Sequence, residues 1–276
     1  MKPDSLRVVV TGATGGIGRA LALELYHRGA AVLLIGRDAS SLLTMVVALD
    51  GPSDRVQSQV ADLATKAGRA IVARVAAAWR ANVLVNNAGL GEFALLDQQS
   101  DAGVERLFAV NVLAPMQLTR GLLPHLRAQP WAAVLNVGSV FGSLGYPGFS
   151  AYSASKFALR GFSEALRREL ADTRVRVHYL APRATRTAMN ATAVEAMNAE
   201  LGVTMDPPEA VALAACAMLE RGGRHTVLGW PEKLFVRINA LLPGIVDGSV
   251  RRQLPIIRRH ALAAANARIA NEEDCP

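Results

Sequence analysis

The sequence predicts one α/β domain built on a doubly wound parallel sheet flanked by helices. Three observations carry that expectation. Short runs of continuous apolar residues alternate with segments of helical periodicity along most of the 276 residues. A glycine-rich turn from Thr11 to Gly18 joins the first such run to the first helix. No repeat, low-complexity tract or linker divides the chain. Strands that alternate with helices pair in parallel, because parallel neighbours need a crossover connection between them.

Each element follows from its local pattern. Leu6 to Thr11 is an apolar run that leads straight into glycines, and Gly16 to Gly29 reads as a helix with Ile17, Leu21 and Leu25 on one face. Ala31 to Ile35 suits a strand covered on both sides. A helix over Ala39 to Leu49, a strand over Val56 to Val60, an alanine-rich helix ending at Trp79 and a strand over Val83 to Val85 come next. The alternation continues with a helix from Val104 to Leu126, a strand from Ala133 to Val137, a helix from Ser153 to Leu170 and a strand from Val175 to Leu180. Pro207 opens a further helix, where a missing N–H costs little, and Val227-Leu228 forms a last short strand. Residues 1–231 are therefore assigned to the main domain, and 232–276 to a helical C-terminal extension of that domain. In the extension, Leu234, Phe235, Ile238, Leu241, Leu242, Ile245 and Val246 recur at helical spacing, interrupted by Pro243-Gly244. Such a segment docks on the core or on a second subunit, or else forms an apolar lid or peripheral membrane contact.

Composition narrows the function classes. Apolar residues make up 51% of the chain and charged residues 19%, enough for a large core and against wholesale disorder. Cys216 and Cys275 form no CxxC pair, so neither a disulfide framework nor a zinc site is expected, which fits a cytoplasmic protein. No His, Cys or carboxylate cluster has ligand spacing, so no metal is expected. The N-terminus has one lysine, then Asp4 and only a short apolar run, which is not a secretory leader. No apolar stretch reaches the roughly 18 residues of a membrane span. The net charge of +7 comes mainly from arginine, including Arg251-Arg252 and Arg258-Arg259. Aromatic residues are 5% of the chain and do not interleave with basic runs, so nucleic acid is not an expected partner. A solvated basic face, an anionic ligand or an acidic membrane surface would each suit the charge.

The turn Thr11-Gly12-Ala13-Thr14-Gly15-Gly16-Ile17-Gly18 stands where a phosphate finds free N–H donors, no obstructing side chains and the positive end of a helix. In the first strand–turn–helix unit this points to a Rossmann-type dinucleotide site. The second strand ends Ile35-Gly36-Arg37. An NAD site places a carboxylate there for the ribose 2′-OH, whereas here glycine is followed by arginine. A guanidinium suits the 2′-phosphate of NADP through forked, charge-assisted hydrogen bonds. Asp38, one residue on, leaves NAD as the less favoured alternative.

With these residues in view the chain resembles the short-chain dehydrogenase/reductase family over roughly its first 230 residues. The family's TGxxxGxG motif is matched by Thr11, Gly12, Gly16 and Gly18, its NNAG motif by Asn86-Asn87-Ala88-Gly89, and its YxxxK motif by Tyr152 and Lys156. Ser139 matches the catalytic serine and Asn111 the helix-borne asparagine, completing the tetrad. The resemblance implies that Ser139 holds the substrate oxygen, Tyr152 donates or accepts its proton, Lys156 lowers the tyrosine pKa and binds the nicotinamide ribose, and Asn111 holds a relay water. It also implies that Asp62 and Leu63 contact adenine, that Asn87 and Gly89 line the adenosine side, and that Thr187 binds the carboxamide at the end of a PGxxxT pattern. That pattern departs after Pro182, where Arg183 replaces glycine and lacks its freedom at positive φ.

The local chemistry agrees with the resemblance. A tyrosine with a pKa of about 10 is a poor acid–base at neutral pH, and an ammonium beside it favours the phenolate. Tyr152 and Lys156 stand at i and i+4, on one face if helical, in a chain whose lysines are only Lys2, Lys66, Lys156 and Lys233.

The expected activity is NADP(H)-dependent reduction of a carbonyl. An NAD-dependent alcohol dehydrogenase with the same site, and a non-catalytic dinucleotide sensor, are the alternatives. Phe141, Leu144, Tyr146 and Phe149 before the tyrosine, with Met189, Met197, Leu201 and Met205 in the expected lid, suit an apolar ketone, aldehyde or 3-oxoacyl group, or else pack the lid on the core. The resemblance further implies a homodimer or homotetramer built through the helices spanning about 104–127 and 153–170.

Overall fold

The computed structural model describes residues 6–190 and 192–273. The residues read for a leader, Met1 to Ser5, and Cys275 lie outside the described residues. Seven strands form one all-parallel sheet: β1 (Arg7–Thr11), β2 (Ala31–Gly36), β3 (Val56–Val60), β4 (Val83–Asn86), β5 (Ala132–Val137), β6 (Val175–Ala181) and β7 (His225–Val227), in the order β3-β2-β1-β4-β5-β6-β7. The helices are α1 (Gly16–His27), α2 (Ala39–Leu49), α3 (Lys66–Ala78), α4 (Asp101–Phe108), α5 (Ala114–Arg127), α6 (Ser150–Glu169), α7 (Thr192–Glu200), α8 (Pro208–Arg221), α9 (Glu232–Leu241) and α10 (Pro243–Glu273).

Successive side chains on a strand point to opposite faces, so a fully apolar strand must be covered twice. Val8, Val10, Val32 and Leu34 pack with Leu21, Leu25, Leu42 and Val211, which places α1, α2 and α8 on one face. Their neighbours Val9, Leu33 and Leu84 pack with Val72, Leu118, Leu122 and Leu166, which places α3, α5 and α6 on the other. The chain winds outward from β1 to β3 and then returns beside β1 with β4. Two adjacent strands whose connections leave in opposite directions open a crevice at their carboxyl ends, where ligands bind in such sheets.

Several helix boundaries differ from the periodicity. The helix expected from Val104 starts at Asp101, because the Ser100 hydroxyl accepts a hydrogen bond from Gly103 N at 3.1 Å and caps it. Between α4 and α5 the backbone passes through a π-helical stretch, Ala109–Leu113. The helix expected from Ser153 starts at Ser150, so Tyr152 lies inside its first turn. Pro207 is the N-cap rather than the first residue of α8.

The C-terminal segment breaks where Pro243-Gly244 suggested and then continues as the long α10, with Pro255 inside it. It docks on the main domain: Ile257 and Ala261 of α10 are buried with Phe93 and with Val194 and Met197 of α7. Asn239 donates to the Ser143 carbonyl at 3.0 Å, and the Tyr146 hydroxyl donates to Gln253 at 2.7 Å. The outer face of α9 and the start of α10 nonetheless stay exposed at Leu234, Phe235, Leu241, Leu242 and Ile245. Among the described residues no helix is long and apolar enough to cross a membrane, and no group of three or more His, Cys, Asp or Glu is placed to hold a metal.

Candidate active site

The crevice between the ends of β1 and β4 is lined by most of the residues that the sequence singled out. Gly12, Thr14, Gly16, Ile17, Gly18 and Arg37 border it on the β1–β2 side. Asp62, Leu63, Asn87 and Gly89 continue the lining, and Tyr152, Lys156 and Thr187 close the far end. Ser139, Asn111 and Pro182 are not among the residues that line it.

The glycines are there for clearance. Gly12 has a φ of +64°, and a Cβ on it would meet Ala88 Cα at 2.9 Å. A Cβ on Gly18 would meet the Gly12 carbonyl at 2.0 Å and Asn87 Nδ2 at 2.6 Å. Asn87 Nδ2 donates to the Thr11 carbonyl at 2.9 Å, and Thr11 Oγ1 accepts from Asn87 N and Ala88 N. The NNAG segment thus staples the β4 exit to the glycine turn, leaving the N-terminus of α1 bare beside the crevice. A diphosphate fits that cradle: backbone donors, no side chains and a helix N-terminus.

Arg37 is exposed at the rim, while Asp38 turns away. The Asp38 carboxylate accepts from Ser41 N and Ser40 Oγ, each at 2.7 Å, and caps α2. These bonds hold its carboxyl down at about 2. Asp62 accepts from Ala64 N at 3.0 Å and faces Arg106 at 3.7 Å.

At the far end, Lys156 is 5% exposed and its Nζ donates to the Val137 carbonyl at 3.2 Å. The ammonium lies 5.6 Å from the centre of the Tyr152 ring. The Tyr152 hydroxyl lies beside Ser139, whose Oγ accepts from Phe141 N at 3.1 Å. Here the structure departs from the expectation that Lys156 holds the phenol below its ordinary value. Burial pushes Tyr152 up, opposed by the Ser139 hydroxyl, and burial brings Lys156 down to about 8. Removing both groups from water disfavours both charged forms.

Asn111 sits in the π-helical stretch. Its Nδ2 donates to the Leu90 carbonyl at 2.9 Å and to Ser155 Oγ at 3.0 Å, while Oδ1 accepts from Leu90 N at 2.8 Å. Its side chain is therefore spent on joining the segment after β4 to α6, and π-helical turns recur at functional sites. A Cβ on Gly89 would come 3.4 Å from Asn111 Oδ1 and 3.6 Å from Lys156 Nζ, ordinary contact distances, so Gly89 borders both groups. Sequence reasoning missed Ser155 and Leu90, although Ser155 is a small polar residue inside the YxxxK run. It missed Phe93 as well, which joins the aromatic cluster with Phe141, Tyr146 and Phe149 around Tyr152.

The methyl of Thr187 packs over Gly16, where a Cβ would meet it at 2.6 Å. Met189 is exposed and also lines the crevice, whereas Met197 is buried under α10, so the expected lid divides between facing the crevice and packing on the core. The Pro182 carbonyl accepts from Val140 N at 2.9 Å and so supports the turn that carries Ser139.

Arg183 adopts no positive φ, so the departure from glycine brings no backbone strain. Its guanidinium pairs with Asp206 at 2.6 Å and Glu232 at 3.5 Å and donates to the Trp230 carbonyl at 3.2 Å. It thereby clamps the β6 exit to the starts of α8 and α9. Arg183→Gly should destabilise the fold by about 2 kcal/mol, because it strands two mostly buried carboxylates. At about 2–4 °C per kcal/mol in a chain of this size, thermal melting should fall by roughly 4–8 °C. An unchanged melting temperature would refute the clamp.

A dinucleotide-shaped crevice with a Tyr–Lys pair at one end defines an oxidoreductase that uses a nicotinamide dinucleotide. The model of the short chain dehydrogenase family matches residues 7–198, and the chain belongs to the short-chain dehydrogenase/reductase family. It is 31% identical over 255 residues to dehydrogenase/reductase SDR family member 7B of Bos taurus, covering 86% of this chain and 78% of that one. A short-chain dehydrogenase of Sphingobium yanoikuyae, solved with NADPH, superposes with a TM-score of 0.74 at 28% identity, over 89% of this chain and 95% of that one. A short-chain dehydrogenase/reductase of Burkholderia phymatum, solved with NAD, gives 0.78 at 24% identity over 87% and 94%, and shows the shared fold.

Proposed function

We propose that this protein is an NADP(H)-dependent reductase of an apolar ketone, aldehyde or 3-oxoacyl group, with 232–276 serving as an extension of the same domain. The observation that carries the reading is the placement of Tyr152, beside Ser139 and close to Lys156, at the end of the crevice whose opposite rim holds Arg37. Gly12, Thr14, Gly16, Ile17 and Gly18 would hold the diphosphate, Arg37 the 2′-phosphate, Asp62 and Leu63 the adenine, Asn87 and Gly89 the adenosine and ribose side, and Lys156, Pro182 and Thr187 the nicotinamide half. When bound, the dinucleotide supplies hydride to the carbonyl carbon.

The chain's own residues manage the proton. Ser139 positions the substrate oxygen against the Tyr152 hydroxyl and donates to the negative charge that grows there. Tyr152 gives its proton to that oxygen and becomes phenolate. Burial makes the phenolate costly, and the nearby Lys156 ammonium offsets that cost as the charge develops. Lys156 then returns a proton to Tyr152 and is itself recharged from solvent. Asn111 acts as a positioning residue that fixes the corner between Gly89 and α6. The aromatic cluster of Phe93, Phe141, Tyr146 and Phe149 gives the substrate an apolar wall, and the Arg37 rim favours NADPH over NADH.

NADPH oxidation measured against ketones of rising chain length tests this reading. Activity should increase with apolar length, and turnover indifferent to it would remove the apolar-substrate reading. A pH profile tests the proton route. Lys156, held near 8, carries its proton below that pH and loses it above, so kcat for reduction should be level below about pH 8 and fall as pH rises through it. A rate flat to pH 10 would exclude Lys156 from the route.

A further inference from the structure

At the opposite rim of the sheet from the cofactor crevice, a cavity of about 640 Å³ lies between the start of β6 and the C-terminal ends of α6 and α8. Its volume falls within the roughly 300–1,000 Å³ of small-molecule sites. Five arginines line it: Arg167, Arg168, Arg176, Arg221 and Arg224. The carboxylate among its lining residues, Glu220, is already paired with Arg28 at 2.7 Å. Arginines in the last turns of α6 and α8 answer the negative ends of those helices. Arg176, on β6, and Arg224, just before β7, answer no helix end.

Arg167 Nη1 and His178 Nε2 are closed off from solvent, so the guanidiniums a ligand can reach are those of the exposed Arg168, Arg176, Arg221 and Arg224. His178 is 3% exposed. Its Nδ1 is bonded to the Gly223 carbonyl, which can only accept, so Nδ1 carries the proton. Burial favours the neutral ring, so His178 adds no positive charge to the lining. Trp131 adds an indole to the lining. The cavity therefore asks for two things together: a polyanion for the guanidiniums and a planar apolar group for Trp131.

We infer that this cavity binds a nucleoside polyphosphate at a site separate from the cofactor crevice. The phosphates meet the arginines, and the base lies against Trp131. Aromatic side chains and guanidinium groups are the usual partners of bases and phosphates.

The test is the thermal shift of the full chain saturated with NADPH, so that the crevice is filled, on adding ATP or tripolyphosphate at millimolar concentration. ATP should raise the melting temperature by about 3 °C or more, and tripolyphosphate by clearly less. The exposed charge-reversal pair Arg176→Glu and Arg224→Glu should abolish the ATP shift while NADPH turnover stays unchanged, and Trp131→Leu should reduce ATP to the tripolyphosphate response. No ATP shift in the wild-type protein, or a shift undiminished in the charge-reversal variant, would overturn the site. Equal shifts from ATP and tripolyphosphate would overturn the nucleotide. Retention of an acidic protein with no response to ATP would do the same.

Discussion

Replacing Tyr152 by phenylalanine should lower kcat for carbonyl reduction by about 10³-fold, in the middle of the range for a positioned general acid. The ring keeps its contacts with Phe141 and Phe149, so the fold loses no more than one hydrogen bond's worth of contact between the hydroxyl and Ser139. One such bond contributes about 1 kcal/mol. Circular dichroism and NADPH affinity should therefore remain close to wild type while turnover disappears. That separation is informative, because a residue that merely packed the site would move folding and turnover together. Turnover within tenfold of wild type in a folded Tyr152→Phe protein would leave the proton without its donor and end the enzymatic reading.

The second large effect concerns cofactor choice. Arg37→Ala should weaken NADPH by about 10- to 30-fold, since a hydrogen bond to a charged group contributes roughly 1.5–3 kcal/mol and exposure at the rim reduces that figure through screening. NADH, which has no 2′-phosphate, should change by no more than about twofold. Calorimetric titration of both cofactors at two salt concentrations decides the matter. Equal losses for the two would mean that Arg37 does not read the 2′-phosphate. Asp38 is not poised to compensate, because its carboxylate already caps α2 through Ser40 and Ser41.

Much of this protein was written into local sequence. Strand runs such as Val8 to Val10 and Leu33 to Ile35, and helices such as α1 and α2, were legible because apolar periodicity is a property of neighbours along the chain. The glycine turn was legible for a similar reason: a phosphate cradle has to be built from residues without side chains, and these must sit between a strand and a helix. Tyr152 and Lys156 share a helix face by arithmetic alone. Helix starts were less legible, because a cap such as Ser100 precedes the periodic residues and leaves no periodic trace.

Tertiary structure decided the rest, and in each case through partners distant along the chain or through exclusion of water. Asn111 meets Leu90 and Ser155 only once β4 and α6 are brought together. Arg183 looked like a damaged glycine motif until Asp206 and Glu232 were placed around it. The Tyr152–Lys156 pair, paired by sequence, had its electrostatics set by burial, which raises the phenol and brings the amine down to about 8. Spacing encodes which groups can meet. How much water they keep when they do is a property of the whole packed domain, and that is why the family and the candidate residues could be read from the chain while their charge states could not.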